Sequence, residues 1–156
     1  MEICHLKTPI GTMKISGNAA GVSAIIFTED LEISNQIPEV LQECVTQIEE
    51  YFFKNRIVFT FKINQNGTSF QEKVWQELTN IPFGKTISYL DLAKKLGDPK
   101  VIRAAATANG KNNLLIVVPC HRVIGSDGSL TGYAGELWRK KWLLAHENPT
   151  KQESLF

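Results

Sequence analysis

With 156 residues, 43% of them hydrophobic and 21% charged, the chain has the makings of one globular domain or two small ones. No apolar run reaches the roughly 18 residues of a membrane span, and residues 1–11 lack the basic stretch and apolar core of a secretion signal, so no membrane attachment and a cytoplasmic protein are expected. Cys4, Cys44 and Cys120 are too few and too scattered for a disulfide framework, and no CxxC or HxxxH spacing supports a metal site.

The net charge of +1 hides an uneven distribution. Residues 1–67 hold 5 Lys and Arg against 8 Asp and Glu, whereas residues 68–156 hold 12 against 8. From Lys85 to Arg122 there are seven basic residues and two acidic ones, a local field suited to phosphate.

The elements, in chain order, begin with strands. Glu2–Lys7, the turn Thr8-Pro9-Ile10-Gly11 and Thr12–Ser16 predict a hairpin, and Val22–Phe27 a further strand. Val40, Leu41, Cys44, Ile48 and Phe52 recur near a helical period, so residues 38–55 predict an amphipathic helix. Residues 57–63 read as a β run and residues 64–67 as a linker. Beyond it the pattern turns helical. Ser69 and Glu72 form a capping box, with Phe70, Val74 and Leu78 on one face of the helix that follows. Ser88 and Asp91 form a second box, opening a short helix through Leu96 that Gly97 stops. Asp98-Pro99 starts a third helix over about residues 100–109, and two short helices around a glycine turn fit a helix-turn-helix. The expected fold is α/β of the α+β kind. A small sheet-and-helix scaffold domain occupies 1–66, a mostly helical domain 67–148 and a flexible tail 149–156.

The chemistry gathers after residue 113. Leu114-Leu115-Ile116-Val117-Val118 reads as a short buried strand ending at Pro119, which would fix the backbone just before Cys120-His121-Arg122. A free thiol is only a few per cent ionised at neutral pH, and burial makes that worse, so a base is needed. His121 is the nearest. Adjacent residues in an extended chain face opposite ways, so a bridging water or a non-extended backbone is expected, with Glu147 orienting the imidazole.

Pro119-Cys120-His121-Arg122-Val123-Ile124 resembles the core motif of the O6-alkylguanine-DNA alkyltransferase family. The likeness spans residues 68–148 and extends to Phe83-Gly84-Lys85-Thr86-Ile87-Ser88-Tyr89, Arg103-Ala104, Gly132-Tyr133-Ala134-Gly135 and Trp142-Leu143-Leu144-Ala145-His146-Glu147. The turn Thr8-Pro9-Ile10-Gly11 resembles the family's first hairpin. The resemblance implies a single-use transfer of the alkyl group of O6-alkylguanine, and of O4-alkylthymine, from double-stranded DNA to Cys120, without a cofactor. Cys120 would be the acceptor, His121 its base through a water, Glu147 the holder of His121, Asn112 a brace and Tyr89 a donor to the departing base. Tyr133, Val123, Ala134 and Pro119 would line the base pocket. Ser88, Tyr89, Lys100, Arg103, Ala104 and Arg122 would meet DNA, with Arg103 filling the gap left by a flipped nucleotide and small residues such as Ala104 allowing close approach in the minor groove. The chain departs from the family pattern at Ala105-Ala106, at Asn113 and at Glu136, where family members often carry Val-Gly, Pro and Gly.

The protein is expected to act as a monomer. Gln152-Glu153-Ser154-Leu155-Phe156 resembles the short motif by which bacterial proteins dock on the DNA sliding clamp, Leu155 and Phe156 anchoring and Gln152 and Ser154 flanking. Three other readings fit less of the chain. A damage sensor without transfer would lack the acceptor cysteine, a gene regulator would add an effector domain, and a Cys–His hydrolase would have no use for Arg103.

Overall fold

Alternating apolar residues build three antiparallel strands in the computed structural model, which describes residues 1–30 and 32–149. These are β1 (Glu2–Thr8), β2 (Gly11–Asn18) and β3 (Gly21–Thr28), in the order β1-β2-β3. The register sets Cys4 opposite Ile15, Leu6 opposite Met13 and Ile15 opposite Ile25, so one face of the sheet is buried. Thr8 shapes the first turn, its hydroxyl donating to the Gly11 carbonyl at 2.7 Å and accepting from the Ile10 N–H at 3.2 Å. A turn of 3₁₀ helix (Glu39–Leu41) leads into α1 (Gln42–Phe53), which buries Cys44, Val45, Ile48, Tyr51 and Phe52. These residues follow the helical spacing predicted for 38–55.

Residues 57–63 are not a strand. They meet the sheet at a single bridge, Val22 to Ile63, and the rest of the segment is tied to α1 by side chains. Arg56 Nε donates to Glu50 at 2.9 Å, and Gln47 exchanges hydrogen bonds with both the backbone N–H and the hydroxyl of Thr60. Ile57 and Val58 are exposed, so β-branched composition without a second ladder partner is not enough to make a strand.

The chain divides into two compact units, Met1–Asn66 and Gly67–Phe156. The second opens with α2 (Ser69–Leu78), whose capping box sits one residue earlier than the sequence suggested. Thr68 accepts from the Gln71 N–H, and Gln71 answers at the Thr68 N–H. A two-residue strand β4 (Ile87–Ser88) runs directly into α3 (Tyr89–Lys95), which Ser88 and Asp91 cap reciprocally as predicted. Gly97, at φ +103°, turns the chain, and a 3₁₀ turn (Pro99–Val101) feeds α4 (Ile102–Gly110). α3 and α4 are the two helices of the helix-turn-helix, and Trp75 of α2 braces α4 by donating to the Ala108 carbonyl at 2.9 Å.

The run from Leu114 to Val118 is buried as expected, but it is a turn rather than a strand. Val118 N–H bonds back to the Leu114 carbonyl at 2.9 Å, and Ile116 takes φ +74°. Asn112 closes the turn, accepting from Leu114 N–H at 3.0 Å and donating to the Val118 carbonyl at 2.7 Å. A one-turn 3₁₀ helix (Cys120–Arg122) follows, then β5 (Val123–Ile124), paired in parallel with β4. α5 (Leu137–Glu147) ends the described unit, burying Lys140, Leu143, Leu144 and Glu147 on one face. No helix among the described residues is long and apolar enough to cross a membrane.

Candidate active site

The β4–β5 ladder explains how distant residues meet. Ile87 pairs with Val123 and Ser88 with Ile124, which sets the start of α3, and hence Tyr89, beside the turn that carries Cys120. That turn is non-extended, so Cys120 and His121 need not face opposite ways. Cys120 is 2% exposed, and Asn109 donates to its carbonyl at 3.4 Å.

His121 and Glu147 are both buried, with His121 Nε2 2.8 Å from Glu147 Oε2. Glu147 also accepts from Arg122, Nε at 2.8 Å and Nη2 at 3.0 Å. Burial alone would raise the Glu147 carboxyl, but the His121 and Arg122 partners outweigh it and hold the group below the usual carboxylate range. Burial pushes His121 below its ordinary value against the pull of Glu147, so the imidazole is neutral at pH 7. An ionised Glu147 can only accept, so Nε2 carries the proton and Nδ1 keeps its lone pair. Nδ1 is buried and has no hydrogen-bond partner among the described residues. In this tautomer Nδ1 has a lone pair with which it could accept a proton.

The thiol is neutral at rest. Burial pushes Cys120 up to about 11, with the Asn112 hydrogen bond and the Lys140 charge drawing it partly back. No thiolate is therefore stored at rest, and any reaction at this sulfur would have to remove the proton as it proceeds.

Tyr89 donates its hydroxyl to the Thr131 carbonyl at 2.9 Å, and burial raises its phenol. Arg103 and Ala104 are exposed on α4. Tyr89 and Arg103 line one open cavity of about 490 Å³ together with Ile102, Ala106, Gly110, Thr131 and Gly132. Lys100 is exposed at the foot of α4, and Ser88 is occupied as the cap of α3.

Other expected residues stand elsewhere. Tyr133, Val123, Ala134 and Pro119 do not line that cavity. Val123 is fully buried, with its N–H bonded to the Cys120 carbonyl and its own carbonyl to Lys140. The hydroxyl of Tyr133 is buried without a partner among the described residues. Arg122, expected among the DNA contacts, is buried instead. Besides pairing with Glu147, it donates to the Ile81 carbonyl at 2.7 Å and lies 5.8 Å from the centre of the Phe83 ring. An arginine so engaged is tied to Glu147 and the Ile81 carbonyl rather than displayed on the surface.

Sequence reasoning missed Asn109 and Lys140. Lys140 stands seven residues before Glu147, and that spacing, with Leu143 and Leu144 between, marks one face of a helix. A lysine on that face was the available signal.

Fold and site together define a helix-turn-helix protein with a buried thiol next to a neutral histidine that a glutamate holds. A family described as "6-O-methylguanine DNA methyltransferase, DNA binding domain" matches residues 69–149. The methylated-DNA–protein-cysteine methyltransferase of Methanosarcina acetivorans is 39% identical over 155 residues, covering 94% of this chain and 98% of its own. The constitutive one of Bacillus subtilis is 52% identical over 95 residues, which is 61% of this chain and 58% of that one. A crystal structure of Mycobacterium tuberculosis O6-methylguanine methyltransferase superposes with a TM-score of 0.85 at 35% identity, over 95% of this chain and 93% of that one. The OGT of the same organism, in complex with DNA, gives 0.87 at 35% identity, over 96% and 94%. The chain belongs to the methylated-DNA–protein-cysteine methyltransferase family.

Proposed function

We propose that this protein repairs alkylated DNA by taking the alkyl group of O6-alkylguanine, and of O4-alkylthymine, onto Cys120. The observation that carries the reading is the neutral His121, locked by Glu147 at Nε2 and unpaired at Nδ1, beside a buried thiol. The sulfur attacks the alkyl carbon in line, an S–C bond forms and the C–O6 bond breaks. The thiol proton passes through a water to His121 Nδ1, and the departing base takes a proton from Tyr89. The product is a thioether with no route back to the thiol, so each molecule acts once.

A thiol that is 2% exposed cannot reach O6 within a stacked duplex, so the damaged nucleotide must rotate out of it. Exposed Arg103, on the second helix of the helix-turn-helix, would fill the gap, with Ala104 and Lys100 against the backbone. The reading is tested with duplex DNA whose cleavage by a restriction enzyme is blocked by O6-methylguanine. The protein should restore cleavage, and Cys120→Ser should bind the DNA without restoring it. Restoration by the serine variant would refute the assignment of the acceptor.

Gln152, Ser154, Leu155 and Phe156 lie outside the described residues. Their likeness to a clamp-docking motif supports a second partner, the bacterial sliding clamp. Retention of clamp binding after deletion of residues 152–156 would count against it.

A further inference from the structure

Glu136 holds a backbone conformation that side chains avoid. It joins the loop of residues 131–135 to α5 at φ +77° and ψ 149°, a region populated almost only by glycine. Strain of this kind persists only where the surroundings hold it in place. The Glu136 N–H donates to the Tyr133 carbonyl at 3.0 Å, and its carbonyl accepts from the Lys140 N–H at 3.2 Å. Its carboxylate accepts from Trp138 Nε1 at 2.8 Å. Arg139 adds a third side chain. Its Nη1 donates to the Gly135 carbonyl at 3.2 Å and lies 3.9 Å from the Glu136 carboxylate, and its guanidinium sits 4.5 Å from the centre of the Trp138 ring.

The loop held in this way faces the candidate site. Thr131 and Gly132 line the open cavity with Tyr89 and Arg103, and the Thr131 carbonyl accepts from the Tyr89 hydroxyl. At its other end the loop is anchored by the bonds of Glu136 and Arg139 to Tyr133 and Gly135. We propose that Glu136, Trp138 and Arg139 form a clasp that keeps residues 131–135 in one conformation, and that the unyielding loop restricts transfer to small alkyl groups. The selector rests on the transfer reading for its purpose, but the clasp holds the loop with or without DNA. A wall that can give way admits a larger group, whereas a fixed one discriminates by about tenfold or more for each added methylene group.

Two variants open the clasp without endangering the fold. Glu136→Gly removes the carboxylate and places at φ +77° the residue that takes this conformation without strain. Trp138→Phe keeps an aromatic face for Arg139 and removes the Nε1 donor to Glu136. Trp138 and Glu136 are both exposed, so neither change leaves a hole in the core.

The test measures single-turnover transfer by the full-length protein and both variants from duplex DNA carrying O6-methylguanine or O6-butylguanine. Each variant should raise the ratio of butyl to methyl rates about tenfold over the wild type. A general loss of structure would slow both substrates together, so a ratio that is unchanged or lowered overturns the proposal. Hydrogen exchange without DNA reads the clasp by itself. The Glu136 amide, bonded to the Tyr133 carbonyl, should exchange faster in Trp138→Phe, and exchange at the wild-type rate would mean that the tryptophan holds nothing. Failure of the wild type to transfer either group would overturn the transfer reading and the selector with it, while the exchange rates would still decide the clasp.

Discussion

Glu147 occupies the last turn of α5, where the helix dipole disfavours a carboxylate, so its partners must hold it there. Arg122 and His121 do so, and the three form one buried unit in which each side chain depends on the others. Glu147→Gln keeps the shape but strands the Arg122 charge, and should cost about 3–5 kcal/mol in urea unfolding at pH 7 while slowing transfer. A loss below 1 kcal/mol or so would mean that Arg122 finds another partner. The same unit sets the response to acid. His121 is held neutral, so stability falls as the pH drops below about 6.5, where the unfolded chain takes up a proton that the folded one refuses. Glu147, held low, stabilises fully above about pH 4.3, and that share is lost as the pH falls toward its lower folded value. Glu147→Gln should remove the second decline, which urea midpoints taken across the acid range would reveal. The pairing of His121 with Glu147 was open to sequence reading because residue type and motif carry it. The burial of Arg122 was not, because a Cys-His-Arg string does not say which way the arginine turns.

The helix-turn-helix was legible as an element because its punctuation is chemical. Ser88 and Asp91 cap α3, Gly97 ends it, and Asp98-Pro99 starts the next turn. Gly97 sits at φ +103° with open space where a Cβ would go, so Gly97→Ala should destabilise by about 1–2 kcal/mol through backbone conformation alone. A thermal melt checks this, and an unchanged midpoint would mean that the turn adapts. Two β runs misled for one physical reason. Residues 57–63 and 114–118 have the right composition, but a strand also needs a partner along its length. The first is held to α1 by Gln47 and Arg56, and the second is wound into a turn by Asn112, with Ile116 in a conformation that a β-branched residue rarely adopts. Neither set of side-chain bonds leaves a periodic trace. Moving the first cap from Ser69 to Thr68 was a choice between adjacent hydroxyls that only geometry decides.

At the scale of the molecule, basic residues are concentrated on the unit that carries the thiol, and exposed Arg103 shares a cavity with Tyr89. On the proposed function, duplex recognition and thiol chemistry should therefore separate by mutation. Arg103→Ala should slow methyl transfer from duplex DNA roughly tenfold or more, as the loss of an interaction of at least ~1.4 kcal/mol would, while leaving alkylation of Cys120 by iodoacetamide unchanged. Equal losses in both assays would place Arg103 in the site itself. The central claim is that the protein is consumed by the repair it performs, and intact-mass measurement during titration with duplex DNA containing O6-methylguanine tests it most directly. The account predicts a mass gain of one CH₂ group per protein molecule, located on Cys120, with no further DNA repaired once every molecule has reacted. Demethylation that continues beyond one equivalent, or DNA bound with no change in protein mass, would contradict it.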